Sequence, residues 1–499
     1  MDTPSRSGPA ILGAALALGI AADALLRAFP PGINASLWLC FLASAVILLA
    51  RRLDRPLVGQ WRLVALPVLL CAAALSLRDS PALFCFNAAA AIAGCLLIAT
   101  RTSSRGLRDS TMFELAHALL VHMVHAIAGA GFLIAREVSP PEGGVRGKRK
   151  TVKALLRGTA LAVPFVLLFG SLFAAADASF DALAGRLFDV DLSSLFIHLL
   201  VTSSVGWTAA GFLRGSLSAE EVPVPASPKE AFFSAGIVEI GVFMTILDSL
   251  FLLFVALQFP YLFGGAATIA ARAALTYAEY ARRGFFELTA VACFSILTLL
   301  LADWMLRKDS RRSVVLFRSL AGVNLILLGT IMASAWQRLI LYQSAYGLTE
   351  ARLYAAAALT GTGLVAAWFA LSVLAGRRSR FVFGSIVAAY AVILALDLLN
   401  PDALIARIDI ARGASGKPFD PAYIATLSAD AAPELLAGLP LLQPGDRGVI
   451  SRQIIRREKR DDMADWRSWN YSRSAAEDLI QKNMDMLILS EKEISQTQN

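Results

Sequence analysis

Residues 381–399 read FVFGSIVAAYAVILALDLL, an apolar stretch in which Asp397 is the single Asp, Glu, Lys or Arg residue. An α-helix needs about 20 such residues to cross the roughly 30 Å hydrocarbon core of a bilayer. Three arginines between positions 377 and 380 precede the stretch, and Asn400-Pro401 follows it. Because proline cannot continue a helix, the stretch predicts one transmembrane helix that ends at residue 399.

Apolar blocks of this kind recur along most of the chain. The other ten are residues 10–26, 34–50, 62–77, 81–99, 156–176, 193–212, 232–258, 285–305, 314–336 and 351–375. Of the 499 residues, 57% are hydrophobic and 17% are charged, whereas soluble proteins average about 45–50% and about 25%. This composition excludes an intrinsically disordered chain and argues against a soluble multidomain enzyme. The sequence predicts an all-α, polytopic membrane protein with about eleven transmembrane helices.

Residues 111–135 form a twelfth apolar segment, whose placement depends on the distribution of positive charge. Loops rich in Lys and Arg stay on the cytoplasmic side of a membrane. Arginines at 51, 52, 55 and 62 place the N-terminus inside, and a crossing by 111–135 would place the basic residues between 136 and 157 outside. We therefore expect 111–135 to form an interfacial or re-entrant helix at the inner leaflet. Eleven crossings then leave the C-terminus outside. The net charge of +8 reflects this orientation, so we expect no nucleic-acid partner.

The chain changes character after the membrane domain, which we expect over 1–399. Residues 400–445 are mixed and mildly apolar, which predicts a short helical segment outside the membrane. Residues 446–499 contain a dense mixed-charge run and are predicted to form a tail. Aromatic side chains that favour the headgroup level follow that run. They are Trp466, Trp469 and Tyr471.

Residues 266–288 read AATIAARAALTYAEYARRGFFEL and predict an amphipathic helix over 266–284. A single polar stripe runs along this segment, because its members are spaced at helical intervals. The stripe consists of Arg272, Thr276, Glu279, Arg283 and Glu287. Oppositely charged neighbours four residues apart contribute about 0.2–0.5 kcal/mol per pair on an exposed helix. The stripe is either a connector with self-paired charges or the lining of a polar groove.

The string TYAEYARRGFFEL at 276–288 resembles the most recognisable stretch of a large family of bacterial multi-pass membrane proteins, catalogued as a domain of unknown function. Other strings between about residues 60 and 475 resemble the same family. They are SLRDSP (76–81), FGSLFAAADASF (169–180), PYLFGG (260–265), LYQSAYGLTEARL (341–353), NPDALI (400–405), FDPAYIATLSAD (419–430) and DWRSWNYS (465–472). The resemblance implies a multi-pass architecture in the bacterial inner membrane. It implies no reaction, cofactor or catalytic residue.

In the predicted topology, nearly all of these strings fall at the outer face of the membrane. Ionisable groups near bilayer depth are costly, and they usually pair or line a cavity. We therefore expect them to converge on a shared polar site that the C-terminal segment caps. The candidate residues are Arg78, Asp79, Arg272, Glu279, Arg282, Arg283, Glu287, Tyr346, Arg352 and Asp397.

Two further acids, Glu239 and Asp248, lie within the span 232–258. Nine residues separate them, which places them about 180° apart around a helix and roughly 13 Å apart along its axis. Two roles are open for such intramembrane acids. They could relay protons or cations, or they could form helix–helix hydrogen bonds as neutral carboxylic acids.

The sequence predicts no metal site and no cofactor. His117, His122 and His125 share one face of the segment 111–135 with Glu114, within an arc of about 140°, but they project too far apart to share one ion. The five cysteines lie inside apolar runs without Cys-x-x-Cys spacing. Phosphate-binding Gly-x-x-x-x-Gly-Lys-Ser/Thr, Gly-x-Ser-x-Gly and His-Glu-x-x-His motifs do not occur, which argues against ATP-driven transport and standard hydrolase chemistry.

Three functions are therefore open. The first is binding or transport of a small or lipid-like ligand at the outer polar site, with the lipid bilayer as the constant partner. The second is a membrane enzyme for a lipid-linked or glycan substrate, in which Arg282, Arg283 and Arg352 bind diphosphate and Asp397 acts on the acceptor. The third is an envelope sensor or scaffold whose C-terminal segment binds another envelope protein.

Overall fold

The computed structural model describes residues 7–53, 61–99, 107–134, 192–217, 235–263, 285–307, 310–458 and 465–497, with single positions between 162 and 177. Throughout these ranges every extended regular element is a helix. Those of the membrane domain are α1 (Ser7–Leu26), α2 (Ile33–Arg52), α3 (Trp61–Leu77), α4 (Pro81–Ala99), α5 (Met112–Phe132), α6 (Leu192–Leu217), α7 (Ile237–Phe263), α8 (Phe285–Met305), α9 (Arg311–Tyr346), α10 (Glu350–Phe369) and α11 (Phe381–Leu399). Those that follow are α12 (Pro401–Ala414), α13 (Pro421–Ile424), α14 (Ala432–Gly438), α15 (Pro444–Glu458), α16 (Tyr471–Lys482) and α17 (Met484–Thr497).

Ten of the described helices are long and apolar enough to cross a membrane, and α3 contains a shorter apolar helix, Val64–Leu77. The chain is therefore an all-α, multi-pass membrane protein. Ten of the eleven expected spans coincide with α1–α4 and α6–α11. Most of the span expected at 156–176 lies outside the described residues.

Helix α5 occupies the segment that the charge distribution predicts on the inner leaflet. It begins with a capping box, in which Thr111 and Glu114 each accept a hydrogen bond from the other's backbone N–H. Its first turns pack through Leu115 against α3 and α4, and its last turns pack against α6. Length and composition also suit a crossing, so the interfacial placement of α5 stays a prediction.

Glycines bring α6 close to α1 and α5. A Cβ atom on Gly211 would lie only 2.1 Å from the carbonyl oxygen of His125, and one on Gly19 would lie 2.4 Å from that of Thr202. Small residues of this kind let membrane helices approach each other closely. Helix α6 therefore packs between α1 and α5 and runs antiparallel to both.

Residues 401–458 and 465–497 cover one end of the helix bundle, and we name them the cap. The cap contacts the α1–α2 turn, the α3–α4 loop and the α9–α10 turn. The opposite end, which we name the arginine face, carries arginines at the ends of α2, α8 and α10 and at the starts of α9 and α11. They are Arg51, Arg52, Arg307, Arg311, Arg312, Arg377, Arg378 and Arg380.

The cap has one hydrophobic core, which includes Ile405 of α12, Leu435 of α14, Ile454 of α15 and Leu487 of α17. Leu353 of α10 belongs to the same core. The segment expected at 400–445 and the described part of the tail expected at 446–499 consequently pack as one unit on the membrane domain.

Candidate functional site

Two short loops interlock where the cap meets the helix bundle. The Asp430 carboxylate accepts hydrogen bonds from the backbone N–H groups of Asp79 (2.8 Å) and Ser80 (3.0 Å). In return, the Asp79 carboxylate accepts one from the backbone N–H of Ala429 (3.1 Å). Buried backbone donors need such partners, so residues 78–80 and residues 428–430 hold each other in place. We name this contact the clasp.

A third segment, from the start of α16 in the cap, completes the clasp. The Ser472 hydroxyl donates a hydrogen bond to the Asp430 carboxylate. The Arg473 guanidinium lies 3.0 Å from Asp79 Oδ1, and that of Arg457 lies 3.8 Å from Asp79 Oδ2. The clasp therefore joins the α3–α4 loop to two separate parts of the cap.

Arg78 connects the clasp to α11. Its guanidinium donates two hydrogen bonds to the backbone carbonyl oxygen of Asp397, from Nε (2.9 Å) and Nη2 (2.6 Å), and its Nη1 lies 3.6 Å from Asp430 Oδ1. The Asp397 carboxyl group instead accepts a hydrogen bond from Nδ2 of Asn87 on α4 (2.8 Å). Arg78 is thus held by main chain and by the clasp, and is not free to bind a ligand.

A pair of carboxyl groups lies beside the clasp. Asp402 accepts hydrogen bonds from the backbone N–H of Ser428 (3.1 Å) and from its hydroxyl, and the Glu350 carboxyl group is its neighbour. Burial raises the pKa of Asp402, and the charge of Asp430 raises it further, against the hydrogen bonds from Ser428.

The carboxyl groups of the site outnumber its arginines. Burial raises the pKa of Asp79 as well, although the Ala429 N–H and two arginines oppose this effect. The carboxyl groups of the site are Asp79, Glu350, Asp397, Asp402 and Asp430, and the arginines are Arg78, Arg457 and Arg473. Full ionisation would leave excess negative charge in a buried region, which is costly.

Tyr346 and Arg352 belong to a neighbouring cluster at the end of α9. The Arg352 guanidinium lies 4.0 Å from the centre of the Tyr342 ring and 5.9 Å from that of Tyr346, and it donates to the carbonyl oxygen of Gly347. Gly347 has φ 81°, a left-handed conformation that favours glycine. Asp409 of α12 accepts a hydrogen bond from the next backbone N–H of this turn (3.0 Å). The cluster fixes the α9–α10 turn to the cap.

The structure therefore brings three of the predicted site residues together at the clasp, namely Arg78, Asp79 and Asp397. It places two more, Tyr346 and Arg352, in the neighbouring cluster. Glu287 is exposed in the first turn of α8. The remaining candidates lie outside the described residues. They are Arg272, Glu279, Arg282 and Arg283.

The two acids predicted within the span 232–258 lie at different depths of α7. Glu239 is exposed in its first turn, where its carboxylate accepts a hydrogen bond from the backbone N–H of Gly236. Asp248 lies in the middle of the helix and is buried, and Asn324 of α9 donates a hydrogen bond to it (2.8 Å). Asp248 thus makes a helix–helix hydrogen bond, whereas Glu239 caps the start of α7.

Several residues of the clasp and of the carboxyl pair beside it were not among the sequence candidates. They are Asp402, Ser428, Asp430, Arg457, Ser472 and Arg473. A signal existed for four of them, since the strings NPDALI, FDPAYIATLSAD and DWRSWNYS contain Asp402, Ser428, Asp430 and Ser472. Their partners could not be read from the strings, because Asp79 and Asp430 are 351 positions apart.

No set of three or more His, Cys, Asp or Glu side chains in the described part of the chain has an arrangement that could hold a metal ion. This statement covers the carboxyl groups of the clasp, which face arginines and backbone N–H groups. His122 and His125 of α5 are neighbours, with ring centres 6.4 Å apart. His198 of α6 instead lies 2.6 Å from the Asp23 carboxylate of α1.

Two cavities bear on ligand binding. One adjoins the clasp, is lined in part by Ser428, Arg457 and Arg473, and has a volume of about 60 Å³. Pockets for small organic ligands have roughly 300–1,000 Å³, so this cavity is too small for such a ligand. The other has a volume of about 740 Å³ and lies between α1 and α2.

A protein-family model described as a domain of unknown function (DUF4153) matches residues 64–438, three quarters of the chain. The chain belongs to the DUF4153 family. Neither the curated proteins nor the solved structures contain a match to it. The DUF4153 region includes both interlocked loops of the clasp, at 78–80 and 428–430, whereas the third segment of the clasp lies beyond its end.

Proposed function

We propose that this DUF4153 protein binds an anionic phospholipid in the groove between α1 and α2. The observation that carries the proposal is a cavity of about 740 Å³ with a largely apolar lining and one arginine. Gly13 and Ala17 of α1 form one wall, and Phe41 and Leu48 of α2 form the other. Phe41 and Leu48 are exposed at the surface of the bundle, so the groove opens sideways. A volume and lining of this kind are typical of ligand sites.

Arg52 supplies the charge that selects an anionic lipid. It lines the groove in the last turn of α2, and no Asp or Glu lines the groove with it. Arg52 has no ion-pair partner among the residues that the structure describes. An apolar groove with one cation at its end matches an acyl chain that carries a phosphate headgroup. Basic pockets between membrane helices bind anionic headgroups in this way.

The distribution of arginine supports the cytoplasmic leaflet as the source of this lipid. Short loops rich in Arg stay cytoplasmic, and Arg52 belongs to the arginine face. This orientation puts the start of α1 in the cytoplasm and the cap on the outer side, at the periplasmic surface of a bacterial inner membrane. The family resemblance of the sequence supports that membrane.

Substitution of neighbouring arginines tests the lipid site. Arg51 and Arg52 are both exposed in the last turn of α2, but only Arg52 lines the groove. Arg51→Gln therefore changes the net charge equally and serves as the matched control for Arg52→Gln. Native mass spectrometry of the detergent-purified protein, incubated with phosphatidylglycerol or phosphatidylcholine, measures how much of each lipid the protein retains.

We expect the unsubstituted protein and R51Q to retain phosphatidylglycerol preferentially. We expect R52Q to bind it at least about tenfold more weakly, because a hydrogen bond to a charged group contributes about 1.5–3 kcal/mol and 1.4 kcal/mol is a factor of ten. Ala17→Phe, which fills the groove, abolishes retention of both lipids. Equal losses in R51Q and R52Q, or retention by A17F, would refute the proposal.

The outer polar site and the enzyme alternative have weaker support. The carboxyl groups of the clasp are bonded to partners in the chain, and Arg78 is held by the main chain of α11. The adjoining cavity of about 60 Å³ cannot hold a diphosphate-linked lipid. A catalytic role therefore depends on Arg282 and Arg283, which lie outside the described residues.

A second function, an envelope scaffold or sensor, is favoured by the clasp itself. The clasp and the shared core hold the cap in one position, and three aromatic side chains of the cap are exposed beside the α1–α2 turn. They are Trp466 (67%), Trp469 (44%) and Tyr471 (58%). Such a rigid, aromatic surface suits contact with headgroups or with an envelope protein.

Spin labels test whether the cap is fixed. Phe29 of the α1–α2 turn and Leu441 of the cap are both exposed, so cysteines introduced there in a background without the native cysteines can carry labels. A fixed cap predicts one narrow distance distribution by double electron–electron resonance. A broad distribution would contradict the scaffold function.

A further inference from the structure

The hydrogen bond between α7 and α9 leaves two buried atoms without a partner. Asn324 Nδ2 donates to Asp248 Oδ1 at 2.8 Å. Asp248 Oδ2 and Asn324 Oδ1 are fully buried and have no hydrogen-bond partner among the described residues. Asp248 is 7% exposed and Asn324 is 0% exposed, so neither atom is open to bulk water.

The same arrangement occurs a second time, between α4 and α11. Asn87 Nδ2 donates to Asp397 Oδ1, also at 2.8 Å, and Asp397 Oδ2 and Asn87 Oδ1 are again buried without a described partner. Asn87 Nδ2 also donates to the carbonyl oxygen of Leu83 (3.0 Å). Because only the nitrogen of the amide can donate to that carbonyl, the orientation of the Asn87 amide is fixed.

Each pair lacks one donor. An ionised carboxylate and an amide oxygen are both acceptors, so they cannot satisfy each other. A protonated carboxyl group removes the conflict, since its O–H can donate to the amide oxygen while its other oxygen accepts from the amide nitrogen. The pair then contains two complementary hydrogen bonds and no net charge. Unpaired polar groups and isolated charges are both costly in a membrane interior.

We infer that Asp248 and Asp397 are proton-binding sites, each holding one proton at neutral pH in a carboxylic acid–amide pair with Asn324 and Asn87, respectively. The proton adds to carboxylate Oδ2 and comes from water. The surroundings of the two sites differ. Asn324 is the described polar partner of Asp248, and the neighbouring positions Met244 and Phe251 on α7 are buried and apolar.

Asp397 lies nearer to charged side chains than Asp248 does. Arg78 binds its carbonyl oxygen, Asp430 lies beyond Arg78, and Cys71 of α3 is close enough to interact with it electrostatically. The Asp397 site therefore adjoins the clasp at the cap end of the bundle, whereas the Asp248 site is separated from both ends of α7 by more than two helical turns. We expect the Asp397 proton to exchange with solvent faster than the Asp248 proton.

Infrared spectroscopy of the full-length protein, labelled with ¹³C-aspartate and reconstituted in phosphatidylglycerol–phosphatidylethanolamine vesicles, tests this inference. Asp248→Asn is nearly isosteric and can pair with Asn324 as an amide. The difference spectrum between the unsubstituted protein and D248N, at about pH 7, is expected to show the loss of one carboxylic acid C=O band. D397N is expected to show the same loss. Asp420→Asn, at an exposed aspartate, is the control and is expected to remove a carboxylate band instead.

Loss of a carboxylate band in D248N would overturn the inference for that site. Replacement of the acid band by a carboxylate band on addition of sodium chloride would also overturn it, because the site would then hold a cation. Asn324→Ala keeps Asp248 and removes its acceptor, so the acid band is expected to shift to higher frequency. If D248N does not fold, this second variant still tests for the proton on Asp248. An acid band at an unshifted frequency would contradict the pairing.

Discussion

Replacing Asp430 with alanine removes the acceptor that holds the α3–α4 loop to the cap. The Asp430 side chain has 0% exposure, and it accepts hydrogen bonds from the backbone N–H groups of Asp79 and Ser80. Hydrogen bonds to charged groups contribute about 1.5–3 kcal/mol each, so two of them predict a loss of about 3–6 kcal/mol. Water cannot fully replace the carboxylate at a buried site. The two N–H groups would therefore be left unpaired.

Native-state hydrogen exchange in detergent measures this loss as the free energy of opening of the cap amides. We expect D430A to lower the opening free energy across the whole cap, since the clasp and the shared core form one unit. Both N–H groups bond to the same oxygen, Oδ2, so Asp430→Asn can keep an acceptor for both but loses the charge, and it should lose about half as much. Asp420→Ala is the matched control, because Asp420 is an exposed N-cap residue of α13 and its loss costs about 0.5–2 kcal/mol locally. The reasoning is refuted if D430A lies within about 1 kcal/mol of the unsubstituted protein or matches D420A.

Two further predictions concern protonation and helix packing. Acidification from about pH 8 to about pH 5 should raise the opening free energy of the cap, because burial raises the native pKa values of Asp79 and Asp402 above the ordinary value of about 3.9. As the pH falls, the folded state therefore binds protons before the unfolded state does. Stability is gained as the pH falls, and it is lost as the pH rises through the raised pKa values. Urea titrations that show the opposite dependence of stability on pH would contradict this prediction. Gly211→Ala should lower thermal stability by about 1–3 kcal/mol, because its Cβ would lie 2.1 Å from the His125 carbonyl oxygen. Gly322→Ala, with nothing within 4 Å of its Cβ, is the control and should not destabilise the protein; equal effects of the two substitutions would refute the packing argument.

The membrane architecture could be predicted from the sequence because it depends on local properties of each segment. A run such as 381–399 is long and apolar enough to cross a bilayer whatever its neighbours do, and Pro401 ends it. The same reasoning found the helix start at Thr111 only as part of an apolar segment, although its capping box is also a local signal. The position of a side chain along a helix was harder to predict from the sequence, since the exact start of α7 decides whether Glu239 is buried or exposed.

The candidate site depends on contacts between distant parts of the chain, which local sequence patterns do not specify. The sequence pointed to Arg78, Asp79 and Asp397 as polar groups near the outer face, and the structure brings them together. It did not point to Asp430 as their partner, because hydrogen bonds between loops follow no periodicity. The groove beside Arg52 likewise arises from the separation of α1 and α2, which neither helix encodes alone.

The sequence suffices to identify an all-α, multi-pass membrane protein of a recognisable family, because apolar length and characteristic strings can be read one segment at a time. The folded chain adds that the cap packs as one unit, that its carboxylates close a clasp, and that Asp248 meets Asn324. Those features depend on which side chains meet after the helices have assembled, and the free energy of each contact belongs to both partners at once.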